Sequence, residues 1–222
     1  MSLILSEKPK LERKLPEAGA QPAYITQIVG LGTQETEFQG ERKKVKKLRL
    51  VAELCNETIE KEEQINGGPI KKVQIPMVIG QDYTASIGPK SRLRALLEGI
   101  EGRALTGKEL AELDLKKYLG RSCLLNIQIA TSGAGRQYCK ITGAAKIPKG
   151  FAKLPERVND LVSYDVDEKE GGAFPTFPQW LKDRILASDE LGNRKATSSN
   201  QIISRGNSSC GSSNDKRKEP SY

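Results

Sequence analysis

Six basic side chains crowd into ten residues of this 222-residue chain: Arg42, Lys43, Lys44, Lys46, Lys47 and Arg49, against one acid, Glu41. Lys71 and Lys72 form a second basic pair, and Arg136 and Lys140 bracket a third short run around Tyr138. Cations spaced in this way neutralise phosphates, the main sequence-independent source of affinity for nucleic acid. Rings beside them offer bases a stacking surface worth about 1–3 kcal/mol each. Phe38, next to the first basic run, and Tyr138, next to Arg136, are the rings best placed for that. Tyr24 and Tyr83 lie in apolar segments, where a core role is equally open. Overall, 36 Lys+Arg face 28 Asp+Glu, giving a net charge of +8 and a pI near 9.3, so a polyanionic partner is expected.

Other chemistries are excluded or weak. Histidine is absent, so no Ser-His-Asp or Cys-His nucleophile and no imidazole-ligated zinc site can be built. The four cysteines, Cys55, Cys123, Cys139 and Cys210, form no C-x-x-C pair and are too scattered for a disulfide scaffold. Three of them sit in apolar strand-like runs, which predicts reduced, buried thiols in a reducing cytoplasm. GRALTGKE (102–109) has the outline of a phosphate-binding P-loop, but Glu109 stands where Ser or Thr should hold magnesium and a helix precedes it; it reads as a helix cap. No pair of acids has convincing metal spacing, so no catalytic residue, metal or cofactor is expected. No apolar run reaches the roughly 18 residues of a membrane span, and MSLILSEKPK has no signal-peptide core, so a cytoplasmic protein is expected.

The basic runs need a scaffold, and hydrophobic periodicity predicts one. AYITQIVGL (23–31) reads as a strand, followed by a polar loop over 32–45. KKLRLVAELC (46–55) alternates, with Leu48, Leu50, Ala52 and Leu54 on one face. After a polar connection, IKKVQIPMVIGQDYT forms a third strand with Val73, Ile75, Met77 and Ile79 inward; Pro76 implies an edge or a bulge. The period then becomes helical: Leu93, Leu96, Leu97 and Ile100 make one stripe, with Ser91 as N-cap and Gly102 at the end. Thr106 with Glu109 is a capping box opening a second short helix. RSCLLNIQIA and QYCKITGAAKIP return to strand period around a glycine-rich turn.

Five strands with a helical insert between the third and fourth point to a mainly β protein, an oligonucleotide-binding (OB) barrel with a flexible C-terminal extension. The expected organisation is an arm (1–20), the barrel (21–150), an acidic and aromatic extension (151–186) and a disordered tail (187–222). An OB barrel binds ligands on strands two and three, flanked by the 1–2 and 4–5 loops. On that scaffold the three basic runs should converge on one groove.

Four segments add a family resemblance: LGTQETEFQGERKKVKKLRLVAEL, YTASIGPKSRLRALLEGIEGRALTGKEL, DLKKYLGRSCLLNIQI and AAKIPKG. Together, across roughly residues 8–150, they resemble the single-stranded DNA-binding proteins of tailed bacteriophages, with a weaker echo in FPTFPQWLKDRIL. The resemblance implies an OB-fold protein that coats single-stranded DNA in phage replication or recombination, in the host cytoplasm and without catalysis. Such proteins commonly end in an acidic tip, whereas this chain ends NDKRKEPSY. The acidic-aromatic stretch over 160–185 is the segment expected to recruit replication or recombination proteins, unless Phe174, Phe177 and Trp180 simply dock on the barrel. Two other functions remain open from sequence: an OB-fold protein-interaction adaptor, and an accessory subunit of a phage nuclease or recombinase. A homo-oligomer is also open.

Overall fold

The computed structural model describes residues 14–38, 40–63, 71–166 and 173–191. Its elements are β1 (Gly19–Phe38), β2 (Glu41–Glu63), β3 (Lys71–Thr84), α1 (Arg92–Glu101), α2 (Gly107–Ala111), a 3-10 turn (Leu115–Tyr118), β4 (Ser122–Thr131), β5 (Gln137–Ala145), β6 (Val162–Tyr164), a second 3-10 turn (Phe174–Thr176) and α3 (Gln179–Leu186). The strands form one mainly antiparallel sheet in the order β3-β2-β1-β4-β5, with β6 added in parallel to β1.

β1 is the pivot. Its first residues pair with β4, from Gly19↔Ile127 to Tyr24↔Ser122, and from Ala23 onward it pairs with β2 as far as Phe38↔Glu41. Register shifts at Ile25/Gln27 and Gly30/Gly32 bend the strand, as bulges do by raising local twist. The curled sheet encloses a core of Ile25 and Ile28 on β1, Leu48, Leu50, Ala52 and Leu54 on β2, and Leu125 and Ile127 on β4. Helix α1 closes one end with Leu93, Leu96, Leu97 and Ile100, all buried. Ser91 caps its start by accepting from the Arg94 N–H, and Gly102 ends it in the left-handed region at φ 69°. Gly99 lets the helix press onto β5: a Cβ there would lie 2.1 Å from the Ala144 carbonyl oxygen.

Among the described residues the two end strands, β3 and β5, share no backbone ladder, and the Gln81 side chain spans from one to the other. Gln81 Nε2 donates to the Ile141 carbonyl (3.1 Å), and the Ile141 N–H donates to Gln81 Oε1 (2.7 Å). The primary amide thus supplies the donor and acceptor that a neighbouring strand would have offered.

A second apolar layer lies on the opposite face of β1. Val29 and Leu31 pack there with Tyr164, Val166, Phe177, Leu181 and Ile185. The Tyr164 and Phe177 rings meet edge to face at 5.5 Å. The buried Glu53 carboxylate clamps the chain just before β6, accepting from Val158 N (2.9 Å), Asn159 N (2.7 Å) and Asn159 Nδ2 (2.7 Å). The described residues of 158–166 and 173–191 are therefore packed onto the sheet.

Some sequence expectations need correction. The polar loop expected over 32–45 is mostly ladder, and β2 runs on to Glu63. Glu35 faces Lys44 and Glu37 faces Arg42 across this ribbon, so opposite charges replace apolar alternation. Val73, expected inward, is 37% exposed, because β2 and β3 pair only with each other beyond the register shift between Glu53 and Thr58. Pro76 sits at that shift, on an edge strand. Residues 187–191 of the expected tail are ordered against the sheet, whereas 1–13, most of DVDEKE, and 192–222 with Cys210 lie outside the described residues.

Candidate nucleic-acid interface

The first basic run lies on the β1–β2 ribbon. Arg42, Lys43, Lys44 and Lys46 are exposed there, and Lys47 is half-buried at its base. Their charges have acidic neighbours: Arg42 with Glu35 at 3.7 Å, Lys43 with Glu41 at 2.8 Å, and Lys44 with Asp189 at 2.8 Å. The Asp189 hydrogen bond and charge hold the Lys44 ammonium above the ordinary lysine pKa. Exposed pairs of this kind contribute little to stability and exchange readily for another anion. The base of the ribbon is fixed more firmly. Glu190 accepts from the Thr33 N–H (2.8 Å) and Thr33 Oγ1 (2.7 Å), while Gln34 Nε2 donates to the Arg184 carbonyl (2.9 Å). Gly32, at φ +68°, is required at this contact, since a Cβ would meet Ser188 Cβ at 2.7 Å.

Arg49 points from β2 onto the outer face of β3. Its guanidinium lies over Gly80, where a Cβ would come within 2.5 Å of Nη2, and donates to the Gly80 carbonyl at 3.2 Å. Nη1 meets Asp82 Oδ1 at 2.6 Å, and Arg184 takes Asp82 Oδ2 at 2.6 Å. The Trp180 ring covers Arg49, with Cζ 4.8 Å from the centroid, yet stays 48% exposed. Arg49 is thus a fixed plate under an exposed indole. Phe177 is buried, so of the three aromatics in FPTFPQW only Trp180 offers a large exposed surface.

The remaining predicted residues are only partly gathered. Lys71 and Lys72 face Glu63 and Glu62 at the far end of the β2–β3 ladder, and Lys72 contacts Glu60 at 3.4 Å. Lys47 faces Thr84, thirteen residues along β3 from Lys71. At roughly 3.3 Å per residue that is about 40 Å, so this pair does not join the first run. On the β4–β5 hairpin Arg136 is exposed, Tyr138 is 46% exposed and Lys140 is half-buried. Lys140 adjoins Ile141 at the Gln81 seam, which sets the outward residues of β5 beside those of β3. The Phe38 backbone ends β1, and its side chain lies outside the described residues. Tyr24 donates to the Pro155 carbonyl at 3.2 Å and Tyr83 is a core residue. Trp180, Asp82 and Arg184 were not singled out from sequence as site residues; only the aromatic-proline cluster hinted at Trp180.

Burial pushes the Cys123 thiol up to about 12 and Cys55 to about 11, so both are protonated and inert. Among the described residues, no three His, Cys, Asp or Glu side chains gather as a metal site requires. Among them, no helix is long and apolar enough to cross a membrane. Set against known protein families and curated proteins, the chain matches no family model and no curated sequence.

Proposed function

We propose that this chain is a non-catalytic single-stranded DNA-binding protein of OB type, which coats single strands during phage replication or recombination. The strand order, the helices between β3 and β4, and the Gln81 seam between the end strands all suit an OB barrel. The observation that carries the reading is the basic β1–β2 ribbon standing beside an outer sheet face that bears the exposed Trp180. Phosphates exchange with the carboxylates now next to Lys43 and Lys44, while Trp180 and Tyr138 offer stacking surfaces that only unpaired bases can use. The exposed apolar run of Phe151 (42%), Val158 (67%) and Leu161 (44%) favours a second reading, a protein-interaction adaptor.

Fluorescence titration with oligo-dT and with the matching duplex, at two salt concentrations, separates the two. The first reading expects preference for oligo-dT and affinity that falls steeply with salt. The double variant K43A/K44A should flatten the salt slope by about 1.4, at roughly 0.7 per phosphate contact on a single strand. W180A should weaken binding by about 5-fold or more at an unchanged slope. Binding to neither polynucleotide would refute the proposal and leave the adaptor reading.

A further inference from the structure

The end of β3 and the start of α1 enclose a cleft of about 700 Å³. Cations from three different elements line it: Lys47 on β2, Lys90 in the connection after β3, and Arg92 as the first residue of α1. Among the described residues none of the three has a carboxylate within ion-pair distance. Among the described residues of the wall Asp82 is the one carboxylate, and Arg49 and Arg184 already occupy both its oxygens. The cleft is therefore a concentration of uncompensated positive charge.

Two further features specify the sign and type of ligand. The first turn of α1 contains no acid, and Ser91 Oγ takes the Arg94 N–H, which leaves the Arg92 and Leu93 N–H groups without an intrahelical acceptor at the positive end of a ten-residue helix. The second feature is Tyr83. It lines the cleft, is only 5% exposed, and its buried hydroxyl has no partner among the described residues. Burial pushes its pKa up to about 12, against the opposing pull of Arg92, so at neutral pH it is a neutral hydroxyl with a proton to donate. Buried polar groups in native proteins almost always have partners, and an acceptor that also carries negative charge suits both this donor and the cations beside it.

We infer that this cleft is a phosphate socket, in which Lys47, Lys90 and Arg92 supply charge and the N–H groups of Arg92 and Leu93 with the Tyr83 hydroxyl supply direct donors. A tetrahedral oxyanion suits this set because it accepts several bonds at once from converging donors. The inference deepens the single-strand reading and rests on it for one of two sources, a phosphodiester of bound DNA; the other source is free phosphate. The cleft adjoins the ribbon through Lys47, so a strand held on the ribbon has a path into it.

The test follows the amide signals of Arg92 and Leu93 by NMR in the full-length chain, titrated with oligo-dT or inorganic phosphate at constant ionic strength. Saturating shifts with either probe support the socket; shifts with oligo-dT alone assign it to the strand, and shifts with phosphate alone assign it to a free anion. The double variant K90Q/R92Q, changed at two exposed positions, should weaken the responding probe about 10-fold or more. With oligo-dT it should flatten the salt slope by about 0.7, one phosphate's worth. Y83F removes only the hydroxyl: it should bind the probe several-fold more weakly while melting no lower than the parent. A structural hydroxyl would give the opposite pattern. If neither probe moves those amides beyond a chloride control, the socket is overturned even where oligo-dT binds elsewhere. Phosphate saturation without any oligo-dT binding would instead overturn the single-strand reading and keep the socket.

Discussion

Replacing Gln81 by Leu keeps the side-chain volume at the β3–β5 seam and removes both of its hydrogen bonds. The Ile141 N–H and carbonyl, now bonded at 2.7 and 3.1 Å, then have no strand neighbour to turn to. A buried group left unsatisfied costs about 1–3 kcal/mol, and Gln81 is half-buried, so water recovers part of the loss. A total near 2–4 kcal/mol follows, which for a body of this size lowers the melting temperature by about 4–16 °C. Gln81→Glu adds a sign. Ionised, the carboxylate still accepts from the Ile141 N–H but faces the carbonyl oxygen; protonated, it donates to that oxygen as the amide does. The folded state thus favours the protonated form, so the variant gains stability relative to the parent as pH falls through the raised carboxyl pKa. Thermal melts across pH, with hydrogen exchange at the Ile141 amide, read both effects. A Gln81→Leu variant melting within about 1 °C of the parent, with that amide still protected, would refute the seam.

Gly99→Ala should destabilise by about 1–3 kcal/mol despite the better helix propensity of alanine, because its Cβ would meet the Ala144 backbone at 2.1 Å. Urea midpoints at unchanged slope measure this, and a stabilised variant would mean that α1 is not seated on β5. Arg103, then Thr106, hold the Glu109 carboxyl well below the usual carboxylate range. Its cap contribution is therefore complete above about 4.5, the ordinary value, and is lost as pH falls through the lowered folded value. The gap in melting temperature between the parent and Glu109→Gln should be widest at neutral pH and close in strong acid; a gap independent of pH would count against the capping box.

The elements legible in the sequence were those with one wet and one dry face. Leu48, Leu50, Ala52 and Leu54 alternate because only one side of β2 meets the core, and the α1 stripe is equally plain. The capping box was readable because Thr106 and Glu109 act within one helical turn. The ribbon over 32–47 was not, since both its faces are wet and cross-strand charge pairs leave no hydrophobic period. Nor could the site be completed from sequence. Arg49 advertises a cation, but its partners Asp82, Arg184 and Trp180 come from β3 and α3. Lys71 and Lys72 share the composition of the first run and sit far from it, because β2 is longer than the pattern predicts.

The late arrival of a partner for β1 also bears on synthesis. Val29 and Leu31 leave the ribosome well before the side chains they pack on, which among the described residues lie between Val162 and Leu191. Until that segment emerges, a nascent chain carries a sticky strip in its central strand, so stalled or truncated products of this protein should be chaperone clients and prone to inclusion bodies.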